Sequence, residues 1–335
     1  MMKTRKSFCF HITLIASYML ILASSCTQEK NNPSQNNTEI TETSSTTLVA
    51  TPDFNADSAY QYIAKQISFG PRVPNTASHV QCADYLARQM KKYGATVIEQ
   101  DFTATAYDGT VLRAKNIISS YNLAANKRIL LAAHWDTRPF SDEDPKAPQK
   151  KFDGANDGAS GVAVLMEIAR CINASNMKPV VGIDMIFFDV EDYGMPNVQD
   201  SYCLGSQYWG KNKHTPQYSA YYGILLDMVG AKGAVFSKEY QSMMVAPSIV
   251  NLVWSKAAML GYDKYFINQT VSSITDDHVY VTRYTNIPMI DIIEYHPNKG
   301  FGSYWHTQAD NLQVIDKATL KAVGQTLLQV IYSEK

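Results

Sequence analysis

The sequence predicts an α/β fold, a three-layer α/β/α sandwich with a central mixed, mostly parallel β-sheet. Strand-like and helix-like segments alternate along the chain, as they do in this class of fold. Several strand segments, such as residues 128–133, are apolar at every central position, which is typical of strands buried on both faces of a parallel sheet. The 335 residues, 45% of them hydrophobic, suit one large domain with a substantial core.

The first 25 residues are predicted to be a signal peptide. Basic residues at positions 3, 5 and 6 precede an apolar run at 8–22, and small residues follow directly before Cys26. This order resembles a bacterial lipoprotein box, which implies a lipidated Cys26 and an exported protein anchored to a bacterial membrane, facing the periplasm or the cell surface. The apolar run is short for a membrane span, but a transmembrane anchor and secretion with a free Cys26 are left as alternatives.

Residues 26–51 are predicted to be a disordered tether, and residues 52–335 a single catalytic domain. The tether consists largely of Asn, Thr, Ser, Gln and Glu, which bury too little apolar surface to offset the entropy of an ordered chain. After removal of the signal peptide, the domain retains Cys82, Cys171 and Cys203. These three cannot all pair within one chain, and the sequence leaves open whether any disulfide forms.

The elements of the domain follow in order from hydrophobic periodicity and from turn residues. Helical spacing predicts a first helix at 56–67 and a second at 78–93, which ends at Gly94. Alternation predicts a half-buried strand at 96–102 and a partner at 112–119. The remaining predicted elements are buried strands at 128–133, 180–189, 221–227 and 288–293, and helices at 158–172, 251–260 and 316–332.

Overall charge and cysteine content exclude two classes of protein. The net charge of -1 gives no basic surface for a nucleic acid. Five cysteines are too few for a disulfide scaffold of this length. No uncovered apolar stripe is evident, so we expect a monomer.

Polar side chains follow three of the predicted buried strands at the point where each strand ends. His134 and Asp136 follow the strand at 128–133, the pair Glu191 and Asp192 follows the strand at 180–189, and Asp227 ends the strand at 221–227. The carboxyl ends of parallel strands meet at one edge of a sheet, where α/β proteins bind ligands. The sequence therefore predicts one site at this edge.

Each candidate alone has an ordinary structural explanation. Asp157 could cap the helix that follows it, Glu191 and Asp192 could form a solvated turn, and His134 could be a core histidine. Taken together, clustered carboxylates repel one another unless a cation lies among them. Carboxylates and imidazoles without cysteine suit zinc in an open catalytic site.

The order and spacing of these residues resemble the co-catalytic zinc aminopeptidases from about residue 60 to the end of the chain. Within that group, several segments are more similar to the animal-type glutaminyl-peptide cyclotransferases (glutaminyl cyclases). These segments are Phe187-Phe-Asp-Val-Glu-Asp192, Leu225-Leu-Asp-Met-Val-Gly230, Asp276-Asp277-His278 and Trp305-His306-Thr307. The resemblance implies a zinc-dependent acyltransferase that cyclises N-terminal glutamine of peptides and proteins to pyroglutamate and releases ammonia.

The resemblance also implies a metal site and a proton shuttle. Asp157, Asp192 and His306 would hold one zinc ion per chain, with water or substrate as the fourth ligand. Glu191 would act as general acid and base. The sequence departs from the family at the acidic pair, because the second member, usually Glu, is Asp192 here.

The same resemblance implies roles for further residues around Glu191. Asp227 and Asp276 would form a hydrogen-bonded carboxyl pair beside Glu191. Trp305 would form a wall of the substrate pocket, and Phe301 would lie against the glutamine side chain.

Two other functions remain as alternatives. In a two-zinc aminopeptidase, His134 and Asp227 would bind a second zinc ion, Asp157 would bridge the two ions, and Asp136 would orient His134. In that enzyme Glu191 would activate a water for peptide hydrolysis. The third possibility is a surface lipoprotein that binds peptides and has lost catalysis.

Overall fold

The computed structural model describes residues 47–335. The predicted signal peptide, Cys26 and residues 27–46 of the predicted tether lie outside the described residues. Within residues 47–335, no helix combines the length and the apolar composition that a membrane span requires.

The strands form two sheets. They are β1 (Thr96–Thr105), β2 (Val111–Tyr121), β3 (Arg128–His134), β4 (Gly182–Phe188), β5 (Gly223–Asp227), β6 (Phe236–Glu239), β7 (Phe266–Val271) and β8 (Met289–Ile293). Six of them form one mixed sheet in the order β1-β2-β4-β3-β5-β8. The pairs β3–β4, β3–β5 and β5–β8 are parallel, and β1–β2 and β2–β4 are antiparallel. A second sheet of two parallel strands pairs β6 with β7.

Helices cover both faces of the main sheet, which confirms the predicted sandwich. The helices are α1 (Ala56–Ile67), α2 (Ala77–Lys92), α3 (Ala159–Ala174), α4 (Leu204–Lys211), α5 (Tyr240–Val245), α6 (Pro247–Met259), α7 (Asp277–Thr285) and α8 (Lys317–Ser333). Along β3, Leu131 and Ala133 pack in the core on the side of α1, α3 and α8, whereas Leu130 and Ala132 pack in the core on the side of α4 and α7.

The chain is ordered a few residues before the predicted start of the domain. Val49 and Gln329 exchange hydrogen bonds of 3.1 and 2.7 Å between backbone and side chain. Thr51 Oγ1 accepts a hydrogen bond of 3.0 Å from the Gln325 side chain. Because α8 supplies partners for this backbone, residues 47–51 lie against the domain and not in the tether where the composition placed them.

The three cysteines of the domain are all buried free thiols. No disulfide therefore forms among Cys82, Cys171 and Cys203 in the described part of the chain.

Close packing of α3 on the sheet depends on Gly161. A Cβ at this position would lie 2.3 Å from the Leu226 backbone oxygen and 2.9 Å from the Ala133 Cβ, closer than real Cβ contacts. The contact holds the start of α3 against the ends of β3 and β5.

We expect Gly161→Ala to lower the free energy of unfolding by about 1–3 kcal/mol, because the added methyl group overpacks a buried helix–sheet contact. Urea denaturation of the variant and the parent would measure the change. Gln81→Ala, on the exposed face of α2, is the control and should change stability by less than about 0.5 kcal/mol. An equally stable Gly161→Ala variant would contradict the packing argument.

Candidate active site

The predicted site residues come together at the carboxyl edge of the main sheet. His134 is the last residue of β3, Asp227 is the last residue of β5, and the pair Glu191 and Asp192 follows β4 by three residues. Asp276 is the N-cap residue of α7 and accepts a hydrogen bond from the Asp277 backbone N–H. Strand ends and one helix start thus supply the side chains.

Asp157, Asp192 and His306 form a buried group whose ligand atoms all lie within 4.8 Å of one another. His306 Nε2 is 3.3 Å from Asp192 Oδ1 and 3.7 Å from Asp157 Oδ2. The other carboxylate oxygen of Asp192, Oδ2, is buried without a hydrogen-bond partner among the described residues. An orphaned carboxylate oxygen beside an imidazole and a second carboxylate is suited to coordinating a divalent cation.

A second group of three ligands adjoins the first and shares Asp157. His134 Nε2 is 3.0 Å from Asp157 Oδ1 and 3.2 Å from Asp227 Oδ1. Each oxygen of Asp157 therefore faces a different histidine. Burial alone would lower the pKa of His134, but the nearby carboxylates of Asp136, Asp157 and Asp227 raise it well above its usual range.

Asp157 does not cap the helix that follows it. The N-cap residue of α3 is Gly158, which makes no side-chain capping bond. The ordinary structural explanation for Asp157 therefore fails. Its backbone N–H instead donates to the carboxylate of Asp310, at 3.1 Å.

Asp136 contacts the acidic pair more closely than it contacts His134. Its carboxylate accepts hydrogen bonds of 3.0 and 3.3 Å from the backbone N–H groups of Glu191 and Asp192. The distance from Asp136 Oδ1 to His134 Nδ1 is 3.5 Å, and this nitrogen lacks a hydrogen bond of acceptable geometry among the described residues. Asp136 therefore fixes the loop of the acidic pair.

Glu191 lies at the centre of the site. Its Oε2 is 3.9 Å from His134 Nδ1, and its Oε1 is 3.2 Å from the Cys203 thiol. Burial and the nearby charges of Asp276 and Asp192 raise the pKa of Glu191 well above its usual range.

The predicted pair Asp227 and Asp276 lies at the site, where both side chains are buried and line the same cavity. Asp227 Oδ1 is 3.2 Å from His134 Nε2, and Asp276 Oδ1 accepts a hydrogen bond from the Asp277 backbone N–H. The two carboxyls interact electrostatically, since burial and, to a lesser degree, the charges of Asp157 and Asp276 raise the pKa of Asp227 to about 7.

Aromatic rings line one side of a cavity of about 290 Å³ above these acids. The Trp305 ring stacks on the His306 ring, with centroids 3.8 Å apart. Phe301 packs 4.7 Å from Trp305, and Tyr295 meets Phe301 edge-on at 5.1 Å. Both residues predicted for the pocket, Trp305 and Phe301, line this cavity together with Asp157, Glu191, Asp192, Asp227, Asp276 and His306.

Backbone strain is concentrated at the site. Val190, Cys203, Met228 and His306 all have φ between 50° and 59°. This left-handed region is unfavourable for a residue with a side chain, and most of all for a β-branched one such as Val190. The surrounding fold holds these residues in a costly geometry, as is common where side chains must point at a ligand.

Two charged residues that contact Asp192 and His306 were not predicted from the sequence. Arg138 is buried and donates two hydrogen bonds to Asp142, of 2.8 and 2.6 Å. It also donates to the Asp192 backbone oxygen at 3.0 Å and lies 3.4 Å from Asp192 Oδ1. Asp142 Oδ1 in turn is 3.1 Å from His306 Nδ1. One guanidinium therefore supports Asp192 directly and His306 through Asp142.

We expect Arg138→Met to weaken binding of a divalent cation by about 10- to 100-fold, the usual effect of losing an outer partner of metal ligands. Competition for zinc against a chelator would measure it, with no need for turnover. Arg113→Met, outside this network, is the control. Equal zinc affinities for the two variants would contradict the supporting role of Arg138.

Comparisons with known proteins identify the family of this chain. Residues 116–331 match the model of peptidase family M28. The bovine (Bos taurus) glutaminyl-peptide cyclotransferase is 27% identical over 246 residues, which cover 65% of this chain and 65% of the bovine protein, just under two thirds of its length.

Two solved structures have the same fold over their whole length. One is a Zn-dependent exopeptidase from Parabacteroides distasonis, with 57% identity, a TM-score of 0.83, and coverage of 85% of this chain and 100% of that chain. The other is the Bacteroides thetaiotaomicron glutaminyl cyclase bound to N-acetylhistamine, with 51% identity, a TM-score of 0.83 and the same coverage. The chain therefore belongs to peptidase family M28, and its relatives include glutaminyl cyclases.

Proposed function

We propose that this protein is a zinc-dependent glutaminyl-peptide cyclotransferase, which converts the N-terminal glutamine of peptides and proteins into pyroglutamate and releases ammonia. One observation carries the proposal. The group Asp157, Asp192 and His306 lines a small cavity, with Glu191 beside it and the rings of Trp305 and Phe301 along its wall. Glutaminyl cyclases among the relatives support the same conclusion.

Asp157, Asp192 and His306 are the residues that would hold one zinc ion per chain. When bound, zinc acts as a Lewis acid that polarises the γ-carbonyl of the substrate glutamine. Arg138 and Asp142 keep the ligands in place, and Asp310 holds the backbone on which Asp157 lies.

Glu191 moves the proton that the reaction requires. The α-amine of the substrate attacks its own γ-carbonyl carbon, a new C–N bond forms, and the original amide C–N bond breaks. Glu191 accepts a proton from the attacking amine and returns it to the departing nitrogen, which leaves as ammonia. Its buried position beside Asp276 favours a carboxyl group that takes up and gives back a proton.

The aromatic wall folds the substrate for this attack. A cavity of about 290 Å³ is at the small end for a ligand pocket, which suits the terminal residue of a peptide. Trp305 and Phe301 confine the glutamine side chain so that its amide lies next to the α-amine. Holding the two reacting groups together lowers the entropic cost of the attack. The same wall limits the access of water, which would otherwise hydrolyse the amide.

A two-zinc aminopeptidase is the second candidate, because His134, Asp157 and Asp227 form a second group with ligand atoms within 4.8 Å. In the cyclase, His134 and Asp227 contact each other and no second ion is needed. Zinc analysis of the purified protein distinguishes the two, since the cyclase requires one ion per chain and the aminopeptidase two.

Ammonia release tests the cyclase proposal. A peptide that begins with glutamine should release ammonia when it is incubated with the zinc-loaded protein. The same peptide with an acetylated α-amine should not, because no nucleophile remains. Equal ammonia release from both peptides would mean side-chain hydrolysis and would overturn the proposal.

We further propose that the protein is exported and tethered to a membrane through a lipid on Cys26, with the domain acting as a monomer on peptide N-termini. The basic, apolar and small residues that precede Cys26 support this. Cys26→Ser should move the protein from the membrane fraction to the soluble fraction. A variant that stays in the membrane fraction would contradict lipid anchoring at Cys26.

A further inference from the structure

The thiol of Cys203 is buried at the active site, and the proposed reaction does not use it. The side chain is fully buried, and its Sγ lies 3.2 Å from Glu191 Oε1. Asp276 supplies a third ligand atom, and the three atoms all lie within 4.8 Å of one another. Two carboxylates and a thiol thus converge on one point beside the proposed zinc site.

The spacing of these atoms is suited to a metal ion. In a tetrahedral zinc site, Zn–S and Zn–O bonds of about 2.3 and 2.0 Å place the sulfur and oxygen about 3.5 Å apart. The observed distance of 3.2 Å between the thiol and Glu191 is close to this value. An ion would enter through the cavity, because Glu191 and Asp276 both line it.

We propose that Glu191, Cys203 and Asp276 form a separate, inhibitory metal site that binds a thiophilic divalent cation, such as excess zinc or cadmium. Binding replaces the thiol proton, which is released to solvent, and forms a metal–thiolate bond. The ion also occupies Glu191, which then no longer transfers the proton. The inhibition rests on the proposed function of Glu191, whereas the binding does not.

Charge distinguishes this thiol from another one in the same chain. Cys171 Sγ is also close to a carboxylate, 3.3 Å from Glu167 Oε1. There, however, Arg170 pairs with Glu167 at 2.6 Å and supplies a positive charge that opposes a cation. Cys203 has acidic neighbours instead, including Asp276. Cys171 is therefore a matched control.

Cadmium provides a direct test, because a cadmium–thiolate bond has an ultraviolet charge-transfer absorption. The ligands Asp157, Asp192 and His306 contain no sulfur, so cadmium that replaces zinc among them gives no such signal. We expect cadmium chloride, titrated into the zinc-loaded full chain, to produce the absorption with saturation at one ion per chain. Cys203→Ser should abolish it, and Cys171→Ser should leave it intact.

A second variant keeps the thiol and tests the same site. Asp276→Asn should weaken cadmium binding by at least about tenfold, since even an outer-shell change weakens metal sites by about 10- to 100-fold. Cadmium binding by Asp276→Asn remains informative even when Cys203→Ser fails to fold. Absence of the absorption in the parent chain, its loss in Cys171→Ser alone, or unchanged cadmium affinity in Asp276→Asn would overturn the proposal.

Measurements of turnover distinguish a failure of the proposed metal site from a failure of the proposed function. We expect release of ammonia from a glutamine peptide to fall over the cadmium concentrations at which the absorption rises. A chain that shows the absorption but has no turnover before cadmium is added overturns the proposed function and leaves the metal site standing.

Discussion

Glu191→Gln should lower kcat for cyclisation of an N-terminal glutamine by about 10²- to 10⁴-fold, the usual contribution of a positioned general acid–base group. The amide keeps the shape of the carboxyl group and can still accept the hydrogen bond from the Cys203 thiol. It cannot take up a proton from the attacking amine. Steady-state kinetics with a glutamine peptide would measure the change.

Zinc content should remain unchanged in this variant, and its stability should not fall. Burial raises the pKa of Glu191, so a charged carboxylate is costly in the folded protein, and a neutral amide relieves that cost. Glu143→Gln replaces an exposed carboxyl group in a neighbouring loop and should leave kcat at the parent value. If kcat of Glu191→Gln stays within tenfold of the parent value, Glu191 does not transfer the proton.

His306→Ala should lower zinc affinity by more than about 100-fold and abolish turnover. The imidazole is the only nitrogen ligand of the proposed site, and its loss leaves the carboxylates of Asp157 and Asp192 facing each other. The variant also loses the ring that stacks on Trp305 at 3.8 Å. Chelator competition would measure zinc affinity, and loss of a direct ligand should exceed the 10- to 100-fold effect typical of outer partners.

Backbone strain requires a second variant at this position. His306 has a φ of 52°, which asparagine tolerates better than alanine. His306→Asn should therefore fold more stably than His306→Ala and still lose zinc. His214→Ala, which removes an imidazole that packs against Trp209, should keep parent zinc affinity. Retention of full zinc affinity in both His306 variants would contradict its role as a ligand.

Most of the main sheet could be predicted from the sequence, because β3, β4, β5 and β8 are apolar over most of their length and β1 shows the alternation of a half-buried strand. Predicted segments correspond to all six strands of that sheet. The short elements were missed. β6 has four residues and α5 has six, too few for a period to emerge. In α4, Gly205 and Gly210 lower helix propensity, but both are needed for close packing, as a Cβ at Gly205 would lie 2.2 Å from the Asp189 oxygen.

The place of the site was predictable because parallel strands end at one edge of the sheet, and the family resemblance implied Asp157, Asp192 and His306, whose ligand atoms lie within 4.8 Å of one another. The supporting residues were not. Arg138 and Asp142 lie in a polar loop that has the composition of a solvated surface, and only the fold buries the guanidinium. The contacts of Asp136 and Asp227 were not predictable in detail either, since hydrogen-bond partners depend on distances that spacing along a chain does not fix.

The central claim is that the site cyclises N-terminal glutamine and does not remove N-terminal residues. Mass spectrometry of two peptides, one beginning with Gln and one with Leu, tests it directly after incubation with the zinc-loaded full chain. We expect the Gln peptide to lose the mass of ammonia while the Leu peptide stays intact. Removal of the N-terminal Leu would contradict it and would indicate an aminopeptidase, in which His134 and Asp227 bind a second zinc ion.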